Sequence, residues 1–95
     1  MKKFVLLHYG FEKPTPEIME AWHAWFASIK DNTVENLGFR AGREISKAGT
    51  RELPMGPESI TGLSIVEAET LDEAERMANE NPYISAIGVY EVTSM

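Results

Sequence analysis

Short apolar runs and amphipathic stretches follow one another along the chain, an order that predicts alternating strands and helices. The first run, residues 3–9 (KFVLLHY), is rich in strand-forming residues and ends at Gly10. After two prolines, apolar residues recur at helical spacing: Ile18, Trp22, Trp25, Phe26 and Ile29. With Thr15 as N-cap and Pro16 at the first helical position, this pattern predicts a helix from Pro16 to Thr33.

The middle of the chain gives weaker signals. Residues 38–46 (GFRAGREIS) predict a strand thinned by two glycines, and residues 62–68 (GLSIVEA) predict a third strand. Between them, residues 47–61 hold two glycines and two prolines and predict either a short edge hairpin or a mobile loop. Connections this long often carry function. Within this one, residues 55–59 (MGPES) form either a lid or pocket wall, or a plain hairpin connection.

A second helix is predicted near the C-terminus. Thr70 and Glu73 form a capping box that begins it. Its apolar stripe consists of Leu71, Ala74, Met77 and Ala78. Pro82 ends the helix, and residues 86–92 (AIGVYEV) predict the last strand. The order strand, helix, strand, strand, helix, strand predicts one α+β domain over residues 1–95. The fold is ferredoxin-like (βαββαβ), with four antiparallel strands and two helices on one face.

Both faces of the predicted strands are apolar. In the first strand Phe4 and Leu6 point to one side, and Val5 and Leu7 point to the other. Two helices cover only one face of a four-stranded sheet, so the second face would expose a large apolar patch. A second copy of the chain, related by a two-fold axis, is the simplest cover. We therefore expect a homodimer with the open sheet faces packed together.

Composition and charge narrow the range of partners. The chain has 9 Lys and Arg against 15 Asp and Glu, a net charge of −6, which argues against nucleic acid because phosphate binding needs a clustered basic surface. It has no cysteine, hence no disulfide or thiolate metal site. The longest apolar run, residues 4–7, is too short for a membrane span or a signal peptide. We expect a cytoplasmic domain without a metal or cofactor, since no ligand spacing or phosphate-binding loop is present.

Five segments carry a family pattern: 3–9, 22–26 (WHAWF), 62–74 (GLSIVEAETLDEA), 81–83 (NPY) and 90–92 (YEV). Through them much of the chain resembles the YCII-related family, in the form of its DGPF-domain branch. The resemblance implies a dimeric α+β barrel. It also implies a catalytic dyad, formed by a histidine on the first helix and an aspartate before the proline that ends the second helix. His23 and Asn81 stand at those two positions.

Asn81 departs from the family pattern and leaves two functions open. A carboxylate orients an imidazole and stabilises its protonated form, whereas an amide only orients it. The first function is a small-molecule lyase or isomerase, in which His23 is the general acid or base and Asn81 orients His23 or the substrate. The alternative is a non-catalytic dimer that binds a small ligand or a protein partner.

Four further residues are candidates for binding a ligand. His8, on the first strand, either lines the pocket or is a structural histidine of the sheet. Tyr83 begins the return from the second helix, beside the dyad position. Arg43 would hold a carboxylate by paired hydrogen bonds if it lay near the pocket, and otherwise is solvated surface charge. Ser64, on the third strand, has no histidine at a spacing that would predict a serine nucleophile.

Overall fold

The computed structural model describes residues 1–94, in which two helices and six strands are arranged along the chain. The helices are α1 (Pro16–Ser28) and α2 (Leu71–Asn79), and a short 3-10 helix spans Lys30–Asn32. The strands are β1 (Lys2–Tyr9), β2 (Thr33–Gly38), β3 (Gly42–Ser46), β4 (Gly49–Leu53), β5 (Ile60–Ala68) and β6 (Ala86–Glu91).

Four of the strands form one antiparallel sheet in the order β2-β5-β1-β6. The two central strands, β1 and β5, are the longest, which suits them to the most buried positions. Strands β3 and β4 form a separate hairpin. The main sheet and the two helices give the α+β, ferredoxin-like fold that the sequence predicts.

One face of the sheet packs against both helices and forms the core. Alternate residues of β1, Phe4 and Leu6, are fully buried there, as the two-residue period of a strand requires. The core cluster consists of Phe4, Leu6, Trp25, Ile29, Val66, Ala68, Ala74 and Ala78. Trp25 also joins the helices directly, because its indole Nε1 donates to the Met77 carbonyl at 2.9 Å. Leu71 was expected in the α2 stripe, but it lies in the first turn of the helix and is half exposed.

The first helix is shorter than the sequence predicts. It ends at Ser28, and Thr33 already belongs to β2. Side-chain hydroxyls satisfy carbonyls in the last turn: Ser28 Oγ donates to the Trp25 carbonyl at 2.6 Å, and Thr33 Oγ1 donates to the Ile29 carbonyl at 2.9 Å. The spacing of apolar residues carries no information about these local hydrogen bonds, so the predicted end of the helix at Thr33 is wrong.

The second strand of the main sheet also differs from the prediction. It is β2, residues 33–38, and the predicted segment 38–46 instead leaves the sheet and contributes β3. Strand β2 lies at the sheet edge, and every residue from 34 to 38 is exposed, so its apolar alternation is weak. Residues 47–61 do contribute to a hairpin, but only with β4: its partner β3 precedes the segment, and the pair is separate from the main sheet.

The remaining boundaries shift by a few residues. Strand β5 begins at Ile60 instead of residue 62, and β6 ends at Glu91, although the Val92 amide still donates to the Lys3 carbonyl at 2.8 Å. The N-cap of α2 is confirmed, since Thr70 Oγ1 accepts from the Glu73 amide at 3.1 Å.

The opposite face of the sheet is covered by neither helix. Five apolar side chains of the central strands on this open face are only half-buried: Val5, Leu7, Tyr9, Leu63 and Ile65. Leu37 and Tyr90, from the two edge strands, are exposed on the same face. Both faces of the sheet are therefore apolar, as the sequence predicts. Neither helix of residues 1–94 is long and apolar enough to cross a membrane.

Candidate functional site

A cavity of about 290 Å³ lies between α1 and the β2–β5 side of the sheet. Its lining residues come from α1 and three strands: His8, Trp22, Phe26, Asn36, Leu37, Gly38, Thr61, Gly62, Leu63 and Ser64. The wall is mostly apolar, with a few polar side chains from neighbouring strands, which is the composition of small-molecule sites. We name this space the β2–β5 cavity.

His8 and Ser64 form a hydrogen-bonded pair in the wall of the β2–β5 cavity. Their Nε2 and Oγ atoms lie 3.0 Å apart. Strand register explains the contact: His8 pairs with Gly62 across β1 and β5, so Ser64 is its diagonal neighbour on the same face. Both residues are buried, with exposed fractions of 8% for His8 and 0% for Ser64.

The surroundings keep the His8 imidazole uncharged. Desolvation by burial lowers the pKa of His8 from 6.5 to about 4. Two indole rings meet the imidazole edge-on, with centroid distances of 5.1 Å for Trp22 and 5.6 Å for Trp25. At neutral pH the cavity therefore holds a neutral histidine among aromatic rings.

An irregularity in the strand pairing lies directly beside this histidine. The register between β1 and β5 shifts after His8, so that Tyr9 pairs with Ile60 and leaves Thr61 without a partner in the ladder. Thr61 Oγ1 donates instead to the His8 carbonyl at 3.2 Å. Bulges of this kind bend a strand and re-aim side chains, and they are common next to active sites.

Two buried side chains retain polar atoms that have no hydrogen-bond partner within residues 1–94. They are Nδ1 of His8 and both amide atoms of Asn81, which is 4% exposed. Buried polar atoms in proteins are almost always hydrogen-bonded, to protein, water or ligand. Asn81 lies two residues after the end of α2, and its backbone amide donates to the Ala78 carbonyl.

The structure separates the residues that the sequence singled out. His8 and Ser64 come together at the β2–β5 cavity. His23 does not: its side chain is exposed and does not line the cavity, so its catalytic role stays a prediction from the family resemblance. The helix turns Trp22 and Phe26 toward the cavity, and a residue one step from Trp22 is rotated by about 100°.

Tyr83 and Arg43 also lie away from the β2–β5 cavity. Tyr83 is 47% exposed, in the turn between α2 and β6. Arg43 is exposed on β3 and lines a surface recess confined to the hairpin and its preceding residue, together with Ala41, Gly42, Glu52 and Leu53. Although this recess measures about 520 Å³, it contains neither histidine of the chain.

Sequence reasoning missed several residues of the cavity wall. Trp22 and Phe26 belong to the apolar stripe predicted for the first helix, and they pack against the core, but both also line the cavity. No sequence pattern identifies Asn36 and Thr61 as residues of the cavity wall. Their proximity to His8 depends on the register of the edge strand and on the bulge. Residues 1–94 contain no cluster of three or more His, Cys, Asp or Glu side chains able to hold a metal ion.

The whole fold resembles that of a solved structure. It is 5-chloro-2-hydroxyhydroquinone dehydrochlorinase from Burkholderia phenoliruptrix, in complex with 2,5-dihydroxybenzoquinone. The TM-score is 0.60 at 16% sequence identity, over 96% of this chain and 93% of that one. This likeness establishes the shared fold. No curated protein matches the sequence significantly.

The family model for the YCII-related domain matches residues 3–95, which is nearly the entire sequence. The match agrees with the observed βαββαβ fold of the main sheet and its two helices. The chain therefore belongs to the YCII-related domain family.

Proposed function

We propose that this protein is a small-molecule enzyme of the lyase or isomerase kind, in which His8 transfers a proton and Ser64 positions the imidazole. The observation that carries the proposal is the buried His8–Ser64 pair, 3.0 Å apart, in the wall of the β2–β5 cavity. A histidine of shifted pKa in a concave, mostly apolar site is a candidate for acid–base catalysis. The roles predicted for His23 and Asn81 as a family dyad stay predictions. The exposed position of His23 does not support a catalytic role for that residue.

The chemistry follows from the neutral state of the imidazole. In the free protein Ser64 Oγ holds Nε2 and so sets the orientation of the ring. When substrate binds, the hydroxyl can rotate about its single bond and leave Nε2 to a polar group of the substrate. When a proton leaves the substrate, negative charge develops beside the ring. That charge stabilises the imidazolium and raises the pKa of His8 above its value of about 4. Proton transfer then becomes favourable where the charge forms.

The enzyme works as a homodimer in this proposal. The open sheet face leaves Leu7 and Ile65 half-buried and Tyr90 58% exposed. A second copy that packs its own open face here would remove this apolar surface from water, as the sequence also predicts. A cytoplasmic location stays a prediction from the sequence.

A non-catalytic role is the second candidate, and a specific observation favours it. With a pKa of about 4, His8 is a weak base before any substrate charge develops. The Asn81 amide cannot supply the negative charge that a carboxylate would supply at the family's dyad position. A dimer that binds a small ligand without converting it fits both facts.

A conversion screen tests the proposed chemistry. Wild-type protein and its variants are incubated with single-ring ketones, enols and hydroxyquinones, the last because the similar dehydrochlorinase binds a dihydroxybenzoquinone. Products are followed by mass spectrometry in deuterated water, where proton transfer to carbon leaves a deuterium label. For a compound that is turned over, His8→Gln should lower the rate by about 100-fold or more.

His23→Gln is the matched control, since it removes the other histidine at an exposed position. It should keep wild-type turnover. Full activity in His8→Gln would remove His8 from the mechanism. Loss of activity in His23→Gln alone would show that His23, at the family's dyad position, is the general acid or base. Saturable binding with no conversion would support the non-catalytic candidate.

A further inference from the structure

The chemistry of the β2–β5 cavity wall limits which molecules it can hold. None of its ten lining residues is Asp, Glu, Lys or Arg. Its only ionisable side chain is His8, which is neutral at pH 7. A charged group held against this wall would lose part of its hydration without gaining an opposite charge, and this is unfavourable.

The size of the cavity sets the scale of the ligand. An apolar cavity of about 150 Å³ holds one benzene ring. The β2–β5 cavity measures about 290 Å³, which is room for a single ring with one or two small substituents. The rings of Trp22 and Phe26 lie 5.7 Å apart, tilted by 40°, and form the aromatic side of the wall.

The polar atoms of the wall are few and belong to neutral groups. They include the His8–Ser64 pair, the hydroxyl of Thr61 and the amide of the exposed residue Asn36. Such groups match a hydroxyl or a carbonyl, which both exchange hydrogen bonds without carrying charge.

We infer that the β2–β5 cavity selects uncharged single-ring compounds that carry a hydroxyl or carbonyl group, and discriminates against carboxylates and phosphates. The inference rests on the proposed function in one respect, because it assigns the ligand to the same cavity as His8. It concerns binding, and holds whether or not His8 converts the ligand.

Phenol and benzoate are the paired probes, because they share a ring and differ in charge at pH 7. Binding is measured by NMR titration of the wild-type protein, with the Trp22 indole and His8 ring resonances as reporters. Phenol should saturate these shifts with a Kd at least about tenfold below that of benzoate. Equal or tighter binding of benzoate would overturn the inference, as would phenol shifts that fail to saturate or that spare both residues.

A cavity-filling variant locates the binding. A Cβ added at Gly38 meets no atom within 4 Å, so Gly38→Leu extends into free space at the cavity wall. It should weaken phenol binding by about tenfold or more. Gly56→Leu is the matched control, because Gly56 also has no atom within 4 Å of an added Cβ but lies outside the cavity lining. Equal phenol affinity in Gly38→Leu and wild type would place the ligand elsewhere.

A charge-introducing variant tests the discrimination without depending on packing. Asn36 is exposed on the edge strand, so Asn36→Lys brings an ammonium group to the cavity mouth with little risk to the fold. It should tighten benzoate binding relative to phenol, and an unchanged preference would contradict the electrostatic argument. If phenol binds but no compound of the conversion screen is turned over, the ligand class stands and the catalytic proposal is removed. If an anionic substrate is turned over and the reaction depends on His8, the catalytic proposal stands and the ligand class is wrong.

Discussion

At the scale of single residues, His8 is the most unusual side chain of the protein. It combines burial, a serine partner at 3.0 Å and two edge-on indole rings. From the sequence, His8 is either a residue that lines the pocket or a structural histidine of the sheet. Its place in the wall of a 290 Å³ cavity favours the pocket interpretation. No spacing in the sequence pairs it with Ser64, which lies 56 residues further along the chain.

The lowered pKa of His8 predicts a pH dependence of stability. Between pH 6.5 and about 4 the unfolded chain binds a proton at this residue that the folded chain excludes. The contribution of neutral His8 to the free energy of unfolding is therefore complete above pH 6.5 and is lost as the pH falls to about 4. The loss should approach about 3 kcal/mol, to be measured by urea unfolding across this range.

The difference between wild type and His8→Gln isolates this contribution, because the carboxylates that titrate in the same range are common to both proteins. The stability of His8→Gln should fall less steeply with decreasing pH. His23→Gln controls for the removal of a histidine and should follow the wild-type curve. Parallel curves for wild type and His8→Gln would show that His8 is not held neutral by the fold.

At the scale of elements, the pairing of β2 with β5 positions the cavity. Gly38 and Gly62 face each other in this pairing, and both line the cavity. They differ in the room around them: a Cβ at Gly62 would lie 2.6 Å from the Leu37 carbonyl oxygen, whereas a Cβ at Gly38 meets nothing within 4 Å. The close approach of backbone to backbone requires a glycine at position 62.

Alanine at these two positions should therefore have unequal effects. Gly62→Ala forces the β2 backbone away from β5, and we expect it to lower the free energy of unfolding by about 1–3 kcal/mol. Gly38→Ala, the matched substitution across the ladder, should change it by less than about 0.5 kcal/mol. Both values are accessible from denaturant midpoints. Similar stability of the two variants would mean that β2 is not held against β5 at this distance.

At the scale of the whole molecule, the main feature is the apolar face of the sheet that neither helix covers. The protein extends 40 × 39 × 18 Å, so it is flat: a single helix layer lies on a single sheet. Half-buried Leu7 and Ile65 lie near the middle of the open face, on the two central strands. A charge at either position would have to be desolvated in a face-to-face dimer but would remain hydrated in a monomer.

Each of two single variants, Leu7→Glu or Ile65→Lys, should therefore convert the proposed dimer to a folded monomer of 10.7 kDa. Sedimentation velocity at micromolar concentration gives the mass, and circular dichroism confirms that the fold is retained. Ile45→Lys is the control, because Ile45 is an exposed apolar residue, at 83%, on the hairpin and not on the open face. A wild-type protein that sediments as a monomer would refute the dimer.

The sequence by itself determined the order of the main elements, the helix caps at Thr15 and Thr70, and the apolar character of both sheet faces. These features depend on residues within a turn or a strand of one another, so local periodicity and capping chemistry report them directly. It failed at β2, where an exposed edge strand leaves little apolar alternation. The catalytic role that it predicts for His23 is not supported by the exposed position of that side chain.

Only the tertiary structure decided which histidine faces a cavity and which partner it has. The contact between His8 and Ser64 follows from the antiparallel register of β1 and β5, and the neutral state of His8 follows from burial beneath α1. Register and burial are set by the simultaneous packing of the helices on the sheet. Because a shift of one residue would send every side chain of a strand to the opposite face, no local pattern around His8 or Ser64 encodes their meeting.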